Sequence, residues 1–423
     1  MDCPICGGFD KDNYFKCPEC NRDFICGKHY DANELVCSEC AEKHKSKSEV
    51  KSSQRKIQVG ESPPSEDSVE KEQKTPFYFK NVVCPICGAL TRNRLFKPKI
   101  YSEKKIDIDK HVLSFGWGDP DFNSYYPPLY FFWHCNNCRY TAEQSDFEGP
   151  TKNPWSNFKL IKKVYPEKLQ DDKSTEKLVS WLGKGINYDQ MNYPMAFKIH
   201  LLGIYVQEVL APEERDLLKL GRYYIRTGWL LRELNEKKSK ELEIVNNIAN
   251  ELKKIWKDIP LEESGFLLKA LDYLNDAYVK HPSIKNAAAA VDMLFWLAGI
   301  YLKIEDQQKG LNYLNNVIQE GQKQKAKIEE RLKNPKITED EEKNLFIQSK
   351  KISINVSKAR DLIQDIQYQK FLAQKAEAKK IIDTMVDNTP EEQREILTQK
   401  GFTTKVLDAV VPDKKKKLFG LFG

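Results

Sequence analysis

The sequence predicts a multidomain chain in which small zinc-stabilised α+β modules at the N-terminus precede an all-α, tetratricopeptide-like helical repeat domain. Three observations predict it. All eleven cysteines lie before residue 139, and ten of them form CxxC pairs. Beyond about Asn157, Gly and Pro become sparse and apolar residues recur with the helical period. At 423 residues and 40% hydrophobic content, the chain has room for roughly two to four domains with a real core.

The CxxC pairs are Cys3/Cys6, Cys17/Cys20, Cys37/Cys40, Cys84/Cys87 and Cys135/Cys138. Cys26 and His29, in CGKH, form a sixth pair of the same spacing. Two residues between ligands let one tight turn aim both side chains at a single ion, and Zn²⁺ takes about four such ligands in a tetrahedron. The six pairs therefore divide into three zinc sites with no cysteine left over. Four protein ligands leave no open position for water or substrate, so these sites read as structural, and no catalytic residue is assigned. A disulfide framework would strand an odd cysteine. The start MDCPICGG has neither the basic end nor the apolar middle of an export signal, so a reducing cytoplasm is the expected compartment. Iron–sulfur ligation by Cys84, Cys87, Cys135 and Cys138 is the alternative to zinc at that site.

Residues 1–44 carry four of the pairs and are too short to build a sufficient apolar core, so metal must supply the folding free energy. Interleaved pairing gives one ion Cys3, Cys6, Cys26 and His29, and the other Cys17, Cys20, Cys37 and Cys40. Sequential pairing joins neighbouring pairs instead. The stretch CPECNRDFICGKH resembles the middle of FYVE-type and related cross-brace fingers, which favours the interleaved form. A RING finger fits less well, because it spaces its middle pairs more closely. His44 reads as a solvated residue beside lysines. Residues 45–75 lose most apolar side chains and read as a flexible linker.

Residues 76–154 read as a zinc-knuckle module with a long insertion, the two pairs lying 47 residues apart. Strand-like runs, PFYFKNVVC and PLYFFWHC, precede its pairs. The order CPICG, NRLF, then DPDFNSYYPPLYFFWHCNNCRYTAEQSDFE resembles the bacterial family called domain of unknown function 2225. Pro127-Pro128 stands where that pattern has Asn-Pro, and CNNCRYTA where it has CPxCGYAA. The resemblance carries metal binding over to the cysteines more safely than it carries local turn geometry. It implies helices after the knuckle, with ARDLIQDIQ (359–367) similar to a closing helix. Tyr125, Tyr126, Tyr130, Phe131, Phe132 and Trp133 could stack bases, with Arg92, Arg94, Lys97 and Lys99 on phosphates. The commoner expectation for so continuous a run beside a ligand pair is a strand packed in the module. GWGDPDF (116–122) reads as a turn-rich loop.

The periodicity predicts helices over 174–184, 193–210, 212–235, 239–257, 261–281, 284–304, 306–332 and 338–387. Residues 155–335 form the tetratricopeptide-like domain. Ala270, Leu274 and Ala277 offer the small and apolar positions of a second repeat helix. LAGIY (297–301) reads as a first helix, with Gly310, Leu314 and Val317 echoing the second. Residues 336–388 read as a long charged helix and 389–413 as short C-terminal helices. His200 and His281 read as satisfied structural positions.

In the tail, 414–423, Lys414, Lys415, Lys416 and Lys417 precede Leu418, Phe419, Leu421 and Phe422. Such a segment could hold an anionic membrane surface at about 1 kcal/mol per lysine. No apolar run approaches the ~18 residues of a membrane span. A net charge of +6 on 68 basic and 62 acidic side chains is too small an excess to argue for nucleic acid by itself. No Walker loop, dinucleotide fingerprint or histidine-based zinc-hydrolase signature occurs. The expectation is a non-enzymatic cytoplasmic adaptor that binds protein partners through its helices and is held peripherally at the inner membrane face by its tail. A nucleic-acid-binding zinc protein is the alternative.

Overall fold

The computed structural model describes residues 74–149 and 156–411, together with the backbone of four short strands between Tyr14 and Cys37. The chain forms two compact units, Met1–Gln73 and Lys74–Gly423. In the first unit, β1 (Tyr14–Phe15) pairs antiparallel with β2 (Ile25–Cys26), and β3 (Tyr30–Asp31) with β4 (Val36–Cys37). Cys26 and Cys37 are placed there by backbone alone. Cys3, Cys6, Cys17, Cys20, His29 and Cys40 lie outside the described residues, as do most of the linker and the tail from Lys414 to Phe422.

The second unit is mostly helical, with small hairpins before its helices. β5 (Phe77–Val83) pairs with β6 (Leu90–Phe96), β7 (Tyr101–Ile106) with β8 (Val112–Trp117), and β9 (Phe132–His134) with β10 (Thr141–Glu143), all antiparallel. β5 follows the strand-like run before Cys84. The second such run is shorter than its sequence suggests. Pro127 and Pro128 have no N–H for a ladder and start a 3₁₀ turn, Pro127–Tyr130, so only the last three residues pair. GWGDPDF closes β8 and enters a second 3₁₀ turn, where the Asp119 side chain accepts from Asp121 N.

After a short α1 (Gln144–Glu148) come α2 (Phe158–Asp171), α3 (Lys173–Gly183) and α4 (Tyr193–Glu208). α2 buries Phe158, Ile161 and Tyr165 on one face despite Pro166 in its interior. α4 is buried nearly all round, from Phe197 through Val206, and serves as the central rod. α5 (Leu217–Glu236), α6 (Glu241–Lys253), α7 (Glu263–Lys280), α8 (Ala287–Lys303) and α9 (Gln307–Leu332) follow. Then come the 45-residue α10 (Glu339–Asp383), α11 (Pro390–Gln399) and α12 (Thr404–Val410).

Side-chain oxygens set most starts: Asn192, Asp216, Asn286, Asp306 and Thr338 each accept from a first-turn N–H. The helix expected over 212–235 is corrected by one of these caps. Pro212–Glu214 is a 3₁₀ turn, and Arg215 is extended with its guanidinium on the carbonyls of Glu208 and Leu210. Asp216 then opens α5.

The hairpins and helices share one core. Phe132, Trp133, Tyr140 and Phe147 pack in the same cluster as Phe197, Leu201, Tyr223 and Phe266. The tip of the β7–β8 hairpin is driven into the helices. Asp109, 0% exposed, accepts from Trp229 Nε1 at 3.0 Å and Arg232 Nη2 at 2.7 Å on α5, while its carbonyl takes Trp296 Nε1 of α8 at 2.8 Å. Arg232 continues to Glu263 on α7 at 2.7 Å. Gly299 sits where the tip touches α8: a Cβ there would lie 2.3 Å from the Ile108 carbonyl oxygen and 2.7 Å from its carbon.

Two outcomes follow from this core. On helix propensity alone Gly299→Ala would gain about 1 kcal/mol, but here the Cβ meets backbone that cannot swing aside. We expect a net loss of about 1–3 kcal/mol, read as a fall in Tm; a raised Tm would mean the tip does not press on α8. The second outcome concerns pH. Burial holds His111 at about 4 and His200 at about 3, so both are neutral in the fold. The unfolded chain protonates them near 6.5. Their contribution is therefore present above that value and is lost as pH falls toward 4, at about 1.4 kcal/mol per pH unit and histidine. Tm should fall between pH 6.5 and 4.5, and less steeply in His200→Gln; equal slopes would refute the assignment.

Candidate metal centre

The two cysteine pairs of the second unit sit at equivalent places. Each fills the six-residue loop of a hairpin, 84–89 between β5 and β6 and 135–140 between β9 and β10. In the first loop, Cys84 N donates to Ala89 O at 2.8 Å and Gly88 N to Cys84 O at 2.9 Å. The second repeats both bonds, Cys135 N to Tyr140 O at 2.9 Å and Arg139 N to Cys135 O at 2.8 Å. Each turn needs a left-handed residue after its second cysteine. Gly88 takes φ 74° there without strain, and Arg139 takes φ 63° in spite of its Cβ. The local geometry thus carries over to CNNCRYTA although the turn residue differs.

The four sulfurs converge, all within 4.8 Å of one another. Cys84 Sγ lies 3.6 Å from Cys138 Sγ, and Cys87 Sγ 3.6 Å from Cys135 Sγ. A disulfide would need about 2 Å. Thiolates on a tetrahedral zinc, at ~2.3 Å each, stand about 3.8 Å apart. The cluster can therefore bind a metal ion such as zinc. Charge balance points the same way. Hydrogen bonds from Cys138 and Cys84 pull the Cys135 thiol down, while its neighbours and burial push Cys84 and Cys138 up. Sulfurs this close do not all ionise unless a cation neutralises them, and a bound metal deprotonates each one.

Surrounding groups fix the ligands. Asn137 Nδ2 donates to Cys87 Sγ at 3.5 Å, and Tyr165 Oη to the Cys138 carbonyl at 3.0 Å. Asn93, 0% exposed, joins the two hairpins: its Nδ2 donates to Thr91 Oγ1 at 3.0 Å and its Oδ1 accepts from His134 N at 3.3 Å. His134 points away from the sulfurs, with Nδ1 on Thr141 Oγ1 at 2.8 Å. Cys84 and Cys135 are buried, Cys138 is half-buried and Cys87 is exposed, so the site lies at the edge of the core.

The rest of the aromatic run is divided. Phe132 and Trp133 are buried and cannot stack on a base. Arg94 is tied to Asp189, and Arg92 lies over the exposed Phe79 ring at 3.7 Å. His200 Nδ1 donates to Ala196 O at 2.7 Å inside its own helix, and the His281 side chain accepts from Ser283 N at 3.3 Å. What sequence reasoning missed is the buried cluster of Asp109, His111, Arg232 and Glu233. His111 Nε2 meets Tyr126 Oη at 3.0 Å and Glu233 Oε1 at 3.4 Å. The sequence signal available was IDIDKH, two acids and a histidine within a hairpin turn.

The model of a family described as an uncharacterized protein conserved in bacteria (DUF2225) matches residues 77–338. That span holds all four converging cysteines and ends at the residue that caps α10. Among curated proteins and solved structures nothing matches the chain.

Replacing Cys87 and Cys138 together by serine should remove one zinc equivalent per chain, measured by elemental analysis of the full-length protein. Tm should fall by on the order of 10 °C. Unchanged zinc content would remove this cluster as a metal site.

Proposed function

The chain belongs to the DUF2225 family, and we propose that it works as a non-enzymatic, zinc-stabilised adaptor that binds partner proteins through its helices. In this reading three Zn²⁺ ions hold the hairpin modules folded. One sits at Cys84, Cys87, Cys135 and Cys138, and two at the pairs between Cys3 and Cys40, arranged as in a cross-brace finger. The ions take no part in a reaction. The helices behind them pack in tetratricopeptide-like fashion, and the protein works in the cytoplasm, with its basic-apolar tail touching an anionic membrane surface.

One observation carries the adaptor reading: α10 has two apolar faces and only one is covered. Leu345, Ile352, Val356 and Ala359 are buried against α8 and α9. On the other side Phe346, Ile347, Ile354, Tyr368 and Leu372 are exposed, four of them by between 46% and 57%. At 3.6 residues per turn these five fall within an arc of about 100° and span about 39 Å. Ile347, Ile354 and Tyr368 follow the seven-residue spacing that a second helix would read, with Lys350 and Asp361 interspersed. An apolar stripe of that length in water marks a contact surface. No helix among the described residues is long and apolar enough to cross a membrane, so this stripe is not one face of a span.

A second reading, nucleic-acid binding, draws on the β5–β6 hairpin, where Tyr78 and Phe79 are exposed beside Arg92. That platform is small once Phe132 and Trp133 are taken into the core.

Ile347→Glu with Ile354→Glu tests the adaptor. Surface changes of this kind shift stability by about 0.5 kcal/mol or less, so Tm and zinc content should hold while co-purifying partner falls at least about tenfold. Undiminished partner recovery would exclude the stripe as the docking face.

A further inference from the structure

The second unit has a half-open cavity of about 840 Å³ between the β7–β8 hairpin on one side and α5, α8 and α10 on the other. Aromatic side chains are prominent in its walls, with Tyr101, Phe115, Tyr130, Phe131, Trp229 and Trp296 among them. Most charged groups at its edge already have partners. Lys110 is bound to Asp292 at 2.6 Å, Arg222 to Glu143 at 2.8 Å, and Arg94 to Asp189. Asp107 is held by Lys303 at 2.5 Å.

Arg226 differs. Its guanidinium lies 3.7 Å over the Phe131 ring and 5.6 Å from that of Trp229, and it donates to no acceptor among the described residues. Burial, then Arg222, lowers its pKa to about 10, so it stays charged at neutral pH. Glu143 and Glu103 reach it only through space. A guanidinium has five N–H donors in a fixed fork that matches a carboxylate or phosphate. Arg226 is half-buried, so its fork keeps some access to the cavity while part of its hydration is replaced by the faces of the rings. The stacked ring fixes the plane of the fork, so its open edge is set before anything binds.

We propose that this cavity binds a small planar organic anion, its carboxylate or phosphate on Arg226 and its ring among the aromatic walls. The volume suits a ligand of nucleotide size, since such pockets run to roughly 300–1,000 Å³. Lys358 at the rim is a second cation without an ion pair among the described residues. Lys358 lies one turn from Ile354, so the site adjoins the α10 stripe, but the anion site is carried by Arg226 on α5 and does not depend on the stripe.

Calorimetric titration of the full-length protein tests it, with AMP, GMP and indole-3-acetate as probes and adenosine, guanosine and indole-3-acetamide as their uncharged counterparts. At least one anion should bind once per chain, and its neutral counterpart at least about tenfold more weakly. Arg226→Gln should weaken the same anion by at least about tenfold while retaining zinc and Tm. The proposal is overturned if no anion binds, if the neutral counterpart binds equally well, or if the variant binds like the parent. Should Arg226→Gln fail to fold, the comparison of charged and neutral probes on the parent protein still decides.

Discussion

The second unit depends on one buried carboxylate. Asp109 sits at the tip of a hairpin, sealed from solvent, and a charge there is tolerable only if fully bonded. It is: an indole and a guanidinium take one oxygen, and the backbone N–H of His111 takes the other at 3.2 Å. The Arg232 partner sits on α5 and reaches Glu263 on α7, so one short network ties three elements. Breaking such a pair from one side costs about 3–5 kcal/mol, because the remaining charge stays buried. The hairpin is therefore a wedge whose position is fixed by electrostatics, and the floor of the cavity is fixed with it. Arg226 lies about one and two-thirds turns before Arg232 on the same helix, so seating that helix on the wedge also places Arg226 beside the cavity.

The four cysteines form a second, independent fastening. They join the β5–β6 loop to the β9–β10 loop, while Asn93 joins the same hairpins behind them through neutral hydrogen bonds. The cysteine loop 135–140 ends in Tyr140, which is buried in the common core beside Phe147. Opening of the cysteine cluster would not stay local for that reason. It frees a turn whose next residue is a core side chain, and whose Arg139 already holds a left-handed conformation that costs about 1–2 kcal/mol in the absence of a closed knuckle.

Legibility in the sequence followed the range of the interaction. The CxxC spacing is local, and the two late pairs do converge. Helix periods are local too, and α3, α4 and α7 to α10 begin within a few residues of where their patterns and caps place them. α2 escaped because Pro166 breaks the pattern that its buried Phe158, Ile161 and Tyr165 obey. Gly299 was open to misreading for a different reason. In LAGIY a glycine looks like a small repeat position, yet what makes it necessary is a carbonyl almost 200 residues away in sequence, at the hairpin tip. The Asp109–Arg232 pair spans 123 residues, and the isolation of Arg226 is a property of what fails to reach it. Neither leaves a trace in a window of twenty.

The division between the two proposals follows from the same physics. The wedge, the metal cluster and Arg226 lie within the span matched by the family, whereas the exposed stripe begins at Phe346, past its end at Thr338. α10 is held by its inner face against α8 and α9, so its outer face can change without disturbing the wedge or the knuckles. A surface free to vary in this way suits a partner contact particular to this chain. A cavity whose floor is locked by a buried ion pair does not vary so freely, because wall residues such as Trp133, Trp229 and Trp296 also belong to the core. A ligand there would be read by the body of the fold, and a partner protein by the helix added to it.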